Sequence, residues 1–425
     1  MSGFQYIKNM RLKGGALYYA IFIMIVLSSI GFMLINFFEL KFREDTLFYK
    51  SAELDDHLNS ALHLVACQPD LVPVGASTSL DIFDDNSAIV SASCERWGLF
   101  RKLSFMSSWR TLKKEMVFIM AEKEKERPAL WMPDKKKYVS LVGKSSVSGD
   151  CYMSELGLRK GNAEGRYFEG PFLHHGRLLK SGEVLPLLNE EFLRYIHNYF
   201  NGESTDRDSV ASLQTIKQGE PLFQSFGQKT IVFRSNSKVI LDNGMFNDNI
   251  IIQSSDTIEV WPGTVLNSIQ LYARVIVFKE GFTGSLQAFA NERLVVETGC
   301  QFKYPSMLSV LNFNGPSAMQ FGAGSKLNGG IVVYTNSTKE GDASLSVAEN
   351  CKLNGKVVVF GDVTLKSSIT GSLYCDRFVH VTPRAFYENF MIDVDIDETK
   401  LPDEYASYCV GNELYKLKQL QQCQL

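Results

Sequence analysis

Six histidines, eight cysteines and a scatter of acids are the side chains with chemistry to offer in this 425-residue chain. The histidines are His57, His63, His174, His175, His197 and His380. His174 and His175 are adjacent, and adjacent side chains on a strand point to opposite faces. A metal shared there would require a turn and a third ligand. His57 and His63 stand six apart, which misses the i, i+4 spacing of a helical zinc pair. Both read as packing or solvated residues. No Gly-x-Ser-x-Gly elbow, phosphate loop or His-Glu-x-x-His motif occurs. The expectation is no catalytic residue, no metal and no cofactor.

The cysteines are Cys67, Cys94, Cys151, Cys300, Cys351, Cys375, Cys409 and Cys423, with no Cys-x-x-Cys. An extracytoplasmic setting would permit disulfides. Cys67 with Cys94 and Cys409 with Cys423 are pairings that chain proximity suggests, but connectivity does not follow from sequence. Cys300, Cys351 and Cys375 sit in apolar surroundings and read as small buried residues.

The acids Asp242, Asp248, Asp256 and Glu259 raise an enzymatic alternative, a polysaccharide lyase or hydrolase. A catalytic pair of carboxylates is held about 5–9.5 Å apart, and rungs of a stacked sheet lie about 4.8 Å apart. One acid per rung, in register, would be the signature. These four do not recur at equivalent positions of the repeat that carries them.

That repeat runs from Ser237 to Asp376. Gly244, Gly263, Gly281 and Gly299 are spaced 19, 18 and 18 residues apart. Five residues before them stand Val239, Ile258, Ile276 and Leu294, and three before stand Leu241, Val260, Phe278 and Val296. Eight after stand Ile252, Leu271, Phe289 and Met307. The pattern resumes at Gly324, at Asn350 and, shortened, at Ser368. Apolar residues two apart share one face of a strand, and Gly or Asn can then turn the chain at positive φ. One such unit cannot bury its face alone, but stacked copies can. The expected fold is therefore mainly β, with a C-terminal parallel β-helix of about seven coils. Ordinary hairpins in a sandwich are the alternative; leucine-rich repeats lack their signature here. Longer spacings place extra residues at Asn312–Ser317 and Thr335–Asp342, read as loops extruded from one corner.

Ala16 to Phe38 is free of charge and long enough to cross a bilayer of ~30 Å as a helix. Lys8, Arg11 and Lys13 precede it, while acids balance the bases that follow, so the positive-inside rule places the N-terminus in the cytoplasm. A cleaved signal peptide is the competing reading, against which the run is long and lacks a small-x-small site. The net charge of −3 shows no nucleic-acid footprint.

A basic leader, then Gly14-Gly15, then an apolar helix resembles the start of type IV pilins and minor pseudopilins. In that family a peptidase cuts after the glycine, which here would mean Gly14 or Gly15. The usual glutamate five residues into the mature chain is replaced by Tyr19 or Ala20. The Val-Gly…Gly-Asp block near residue 150 and the Gly-rich stretch after it resemble uncharacterised membrane-anchored bacterial envelope proteins. The Ile/Val and Gly punctuation of the repeat resembles bactofilins, though its coils are longer and less regular.

Beyond the span, residues 39–68 read as a helical stalk with Leu54, Leu58, Ala61, Leu62 and Val65 on one stripe. Residues 69–228 read as a mixed α+β, loop-rich domain. It opens with a meander of three strands (88–93, 99–107, 116–120) packed on the stalk. Glu122–Arg127 reads as a solvated turn, Tyr138–Met153 as an earlier coil of the repeat, and Glu190–Phe200 as an amphipathic helix. Residues 229–385 are the β-helix, and 386–425 a cap or tail with helix formers broken at Gly411. The whole is expected to be a single-pass protein of a bacterial cytoplasmic membrane, its mass outside. It would serve as a non-catalytic scaffold that binds an envelope protein or glycan, or as a minor pilin-like or secretion-apparatus component able to oligomerise.

Overall fold

The computed structural model describes residues 14–83, 89–203, 208–212, 221–337, 339–411 and 414–423. The basic leader before residue 14 lies outside them. Span and stalk form one helix, α1 (Gly14–Cys67), of 54 residues, roughly 80 Å long at 1.5 Å per residue. Two polar side chains within the apolar part turn back to the backbone: Ser29 donates to Ile25 O at 2.9 Å and Asn36 to Phe32 O at 2.8 Å. An 18-residue window has mean hydropathy 2.4 and is wholly unburied, so the helix is long and apolar enough to span a membrane. Past it, Arg43–Glu39 and Lys41–Glu44 close as i, i+4 and i, i+3 ion pairs. α1 ends before Pro69, whose ring disfavours helix in the residue ahead of it.

The expected stripe is buried as read: Leu54, Leu58, Ala61, Leu62 and Val65 are all in the interior. Each leucine contributes roughly 1.5–3 kcal/mol there. They pack on an antiparallel sheet of β1 (Ser77–Asp81), β2 (Ile89–Trp97), β3 (Phe100–Trp109) and β4 (Leu112–Glu124). The fifth strand is Leu414–Cys423, antiparallel to β4. This corrects the expected helical tail. Lys, Leu and Gln are good helix formers, but propensity is a weak determinant, and pairing with the open edge of β4 overrides it.

The rest of the chain is mainly parallel strand. Val239, Ile258, Ile276, Leu294, Met319, Leu345, Val363 and Phe378 stand one above another in register. Leu241, Val260, Phe278, Val296, Phe321, Val347 and Leu365 form the neighbouring column. The parallel sheet closes on itself around one apolar core. The spacing of the repeat thus predicts the register.

At the third set of positions the register departs from even spacing. Ile252 and Leu271 stack on Ala288 and Leu308, not on Phe289 and Met307. Irregularities between Asn267 and Ile269 and between Gly284 and Gln287 shift the strands. Phe289 and Met307 therefore face outward, into a second apolar cluster.

Turn geometry also departs from a single rule. Gly281, Gly299, Gly324 and Asn350 adopt φ of 78°, 68°, 69° and 59°. At Gly244 the left-handed residue is its neighbour Asn243 (φ 60°), and Gly263 has no positive φ. Gly263 is small for another reason, since a Cβ there would press on the Asn243 side chain.

The segment read as an earlier coil joins the ladder at the other end. Leu130 pairs with Leu373, Cys151 with Leu130, and Leu178 with Cys151, all parallel. Ile369, Ile396 and Val147 form a second such run, so strand pairing continues past residue 385 as well. The ladder grows from the strand at 208–212 through the strands between 221 and 381 and is then continued by pieces from both sides of it in sequence.

Candidate functional site at the seam between sheet and ladder

One outer face of the ladder is apolar: Ile251, Tyr272, Phe289, Met307, Val332 and Val358 are all buried there. Three elements cover it. The first is α2 (Glu190–Phe200), which starts where Asn189 accepts from the Glu191 and Phe192 amides and which buries Phe192, Ile196 and Tyr199. The second is the β2–β3 hairpin tip. Gln287 grips it from the ladder, its Oε1 accepting from Leu99 N at 2.8 Å and its Nε2 donating to Trp97 O at 2.9 Å. The third is the strap 402–411, where the Tyr405 and Tyr408 hydroxyls donate to Gly329 O and Ile331 O at 2.7 and 2.8 Å. Both extruded loops leave from the same corner, as read: Asn336 N donates to Asn312 O at 3.1 Å, and Phe313 lies 4.6 Å from the His197 ring.

The charge run after residue 121 belongs to this seam and is not a solvated turn. Glu122 is buried and paired with Arg101 at 2.8 Å. Glu124 is paired with Lys356, whose side chain is 5% exposed. Lys356 also donates to Tyr408 O at 3.1 Å and lies 4.9 Å from the centre of the Tyr374 ring. The pattern does distinguish these acids, because each stands at the end of an apolar strand, where a carboxylate meets a partner sheet.

Between β2, α2 and the first strands of the ladder lies a cavity of about 480 Å³, within the ~300–1,000 Å³ usual for small-ligand sites. Glu191, Tyr195 and Tyr199, spaced four apart, present one helix face to it, opposite Glu95, Arg96, Trp97 and Lys102. Asp208 and Thr230 close the ladder side. Tyr199 stacks on Tyr272 and Tyr272 on Phe289, with ring centres 5.0 and 4.8 Å apart. Burial pushes the Tyr195 phenol up to about 12 and the Tyr199 phenol higher still, so both are neutral donors at physiological pH. Burial pulls the Arg96 guanidinium down, with Glu122 opposing and Arg101 adding to the effect.

The residues singled out from sequence do not converge here. His174 bonds Gly149 O at 2.8 Å while His175 packs on Phe172. His57 packs on Phe83, and His63 is exposed. The eight cysteines are free thiols, Cys300, Cys351 and Cys375 being buried as expected. The pairings Cys67–Cys94 and Cys409–Cys423 are thereby corrected. Among the described residues no three His, Cys, Asp or Glu side chains group as metal ligands. Asp256 pairs with Arg274 on the next rung at 2.8 Å, and Glu259 pairs with Lys238 at 2.8 Å. In register, Glu259 stands between Ile240 and Val277, so no column of acids forms at that position.

Compared with protein-family models, with curated proteins and with solved structures, the chain finds no match.

Proposed function

We propose that the protein is a non-catalytic, single-pass platform of the bacterial cell envelope, with the parallel ladder acting as a rigid β-helix of about seven coils. The observation that carries this is mechanical. α1 ends in the antiparallel sheet, and that sheet is joined to the ladder by Gln287, by Lys356 with Glu124 and by the strap tyrosines. A load on the ladder therefore reaches the apolar helix without a flexible linker between the two. The charge bias around residues 8–45 supports an N-terminus in the cytoplasm and a ladder outside.

Its partner would be an envelope protein or glycan. The Gly14-Gly15 leader and the meander packed on the stalk support a second, narrower reading as a minor pilin-like or secretion-apparatus component that assembles with copies or partners. Cross-linking in intact cells, followed by mass spectrometry of membrane complexes, tests the binding role. Recovery of the chain only as an uncomplexed monomer at every cross-linker length would count against it. The enzymatic alternative predicts that the purified protein degrades an envelope polysaccharide; no turnover on a broad glycan panel removes it.

A further inference from the structure

Arg96 and Arg101 stand directly opposite each other across β2 and β3, where like charges oppose pairing. The one carboxylate between them, Glu122, pairs with Arg101. Glu122 Oε1 accepts from Arg101 Nε at 2.9 Å, and its Oε2 accepts from Cys409 N at 3.0 Å. Arg96 is thus left over. Its Nε is buried without an acceptor, and its guanidinium lies 5.8 Å from the centre of the Phe192 ring. A buried donor left unpaired costs about 1–3 kcal/mol, so the site is incomplete as it stands.

Arg96 lines both the 480 Å³ cavity and an adjoining one of about 180 Å³. The larger cavity brings together the Trp97, Tyr195 and Tyr199 rings with the carboxylates of Glu95, Glu191 and Asp208. Lys102 is engaged by Glu95 at 2.8 Å, and Asp208 accepts from the Tyr199 hydroxyl at 3.4 Å. Ring faces and carboxylates in one cavity suit a molecule with CH-rich faces and hydroxyl donors. The guanidinium suits a single carboxylate, which it holds by two parallel hydrogen bonds. A compact multivalent anion would be repelled by three nearby acids, and a neutral sugar would leave Arg96 unanswered.

We propose that this cavity binds an acidic saccharide, a sugar ring carrying one carboxylate, with Arg96 taking the carboxylate. The proposal deepens the glycan-binding side of the platform reading and rests on it for a source of such sugars. The aromatic rings would stack on the sugar face, while Asp208 and Glu191 would accept from its hydroxyls. The adjoining cavity, with Asp70 and Asn189 on its wall, leaves room for the next residue of a chain.

The test is calorimetric titration of the full-length protein in detergent micelles with glucuronate, galacturonate, glucose and inorganic phosphate. The expected result is saturable binding of a hexuronate at a Kd of ~1 mM or tighter, with glucose and phosphate at least about tenfold weaker. Arg96→Gln should weaken hexuronate binding roughly tenfold to a hundredfold. Arg96→Lys should recover part of it, because the charge is kept and the planar fork is lost. Arg96→Gln removes the repulsion with Arg101, so an unchanged or raised Tm will show that it folds. Hexuronate binding unaffected by Arg96→Gln, phosphate or glucose binding equally well, or no binding of either hexuronate would each overturn the proposal. If an envelope glycan is retained independently of Arg96, this cavity assignment fails while the platform reading stands. If hexuronate binds through Arg96 but the chain is not held in the membrane, the platform reading fails instead.

Discussion

Leu130 lies in register on Leu373, so an early segment of the chain takes the next place on a ladder that the later half builds. The last strand, Leu414–Cys423, runs the other way, from the end of the chain back to β4 in the N-terminal sheet. Each half is therefore completed by the other. Folding of the ladder and of the antiparallel sheet should be one cooperative event, and the interactions at the seam should control it.

Lys356 is the sharpest of these. Lys356→Met leaves Glu124 buried opposite a methyl group, which costs ~3–5 kcal/mol. Adding Glu124→Gln should restore much of that loss, since a neutral amide can still face the Val410 amide that Glu124 now accepts from at 3.0 Å. Chemical denaturation of the two single variants and the double variant measures the coupling. A loss in the double variant equal to the sum of the two single losses would show that the pair is not coupled.

Glycines on the ladder divide into two kinds. Gly329, Gly355 and Gly371 stack in register with φ of 153°, 141° and 137°. A Cβ on Gly355 would run into Gly329 O. Gly281 turns at φ 78° with open space around it. Gly355→Ala should cost more than ~3 kcal/mol or prevent folding, whereas Gly281→Ala should cost only ~1–2 kcal/mol. Comparing midpoints of thermal melts by circular dichroism checks the order.

Asp248 gives a pH-dependent expectation. Burial raises its carboxyl above the usual range, opposed by the Gln421 amide, which donates to it at 3.2 Å. A raised folded value means its stabilising contribution is present below the unfolded value and is lost as pH rises through the folded one. At neutral pH the charge is therefore a burden. Asp248→Asn, which also tolerates the local φ of 68°, should raise stability at pH 7 by less than ~1 kcal/mol after solvent screening. The gain should vanish as pH falls through the raised value. A gain that is constant from pH 7 to pH 3 would contradict this.

Gly14 opens α1 and Gly15 lies in its first turn. A permanently anchored platform keeps its leader, so the intact mass of protein recovered from membranes should correspond to a start at Met1 or Ser2. A start at Gly15 or Ala16 would favour the pilin-type reading.

Much of the ladder is legible in the sequence, because side chains two apart on a strand must share a face and a repeat of fixed length must stack like on like. Val239, Ile258, Ile276 and Leu294 follow from that alone, as does the stalk stripe from Leu54 to Val65. Four features are not legible. Stacking fixes which strands are alike but not their order in space, so the place of Leu130 to Lys180 at the far end carries no local signal. Phe289 and Met307 look like core residues whichever way they face, and only the strand irregularities show that they face outward. Arg96 looks like any strand-end arginine until its partner across the strand proves to be Arg101. The cavity is a meeting of α2, β2, Asp208 and Thr230, and no motif spans those pieces.

The central claim is that one apolar helix anchors a single rigid body outside the cytoplasm. Alkaline carbonate washing of membranes, followed by protease treatment of intact spheroplasts, tests it most directly. The account predicts that the full-length chain stays with the membrane after carbonate and that protease added outside removes its folded mass. A chain released by carbonate, or one that is fully protected until the spheroplasts are lysed, would contradict it.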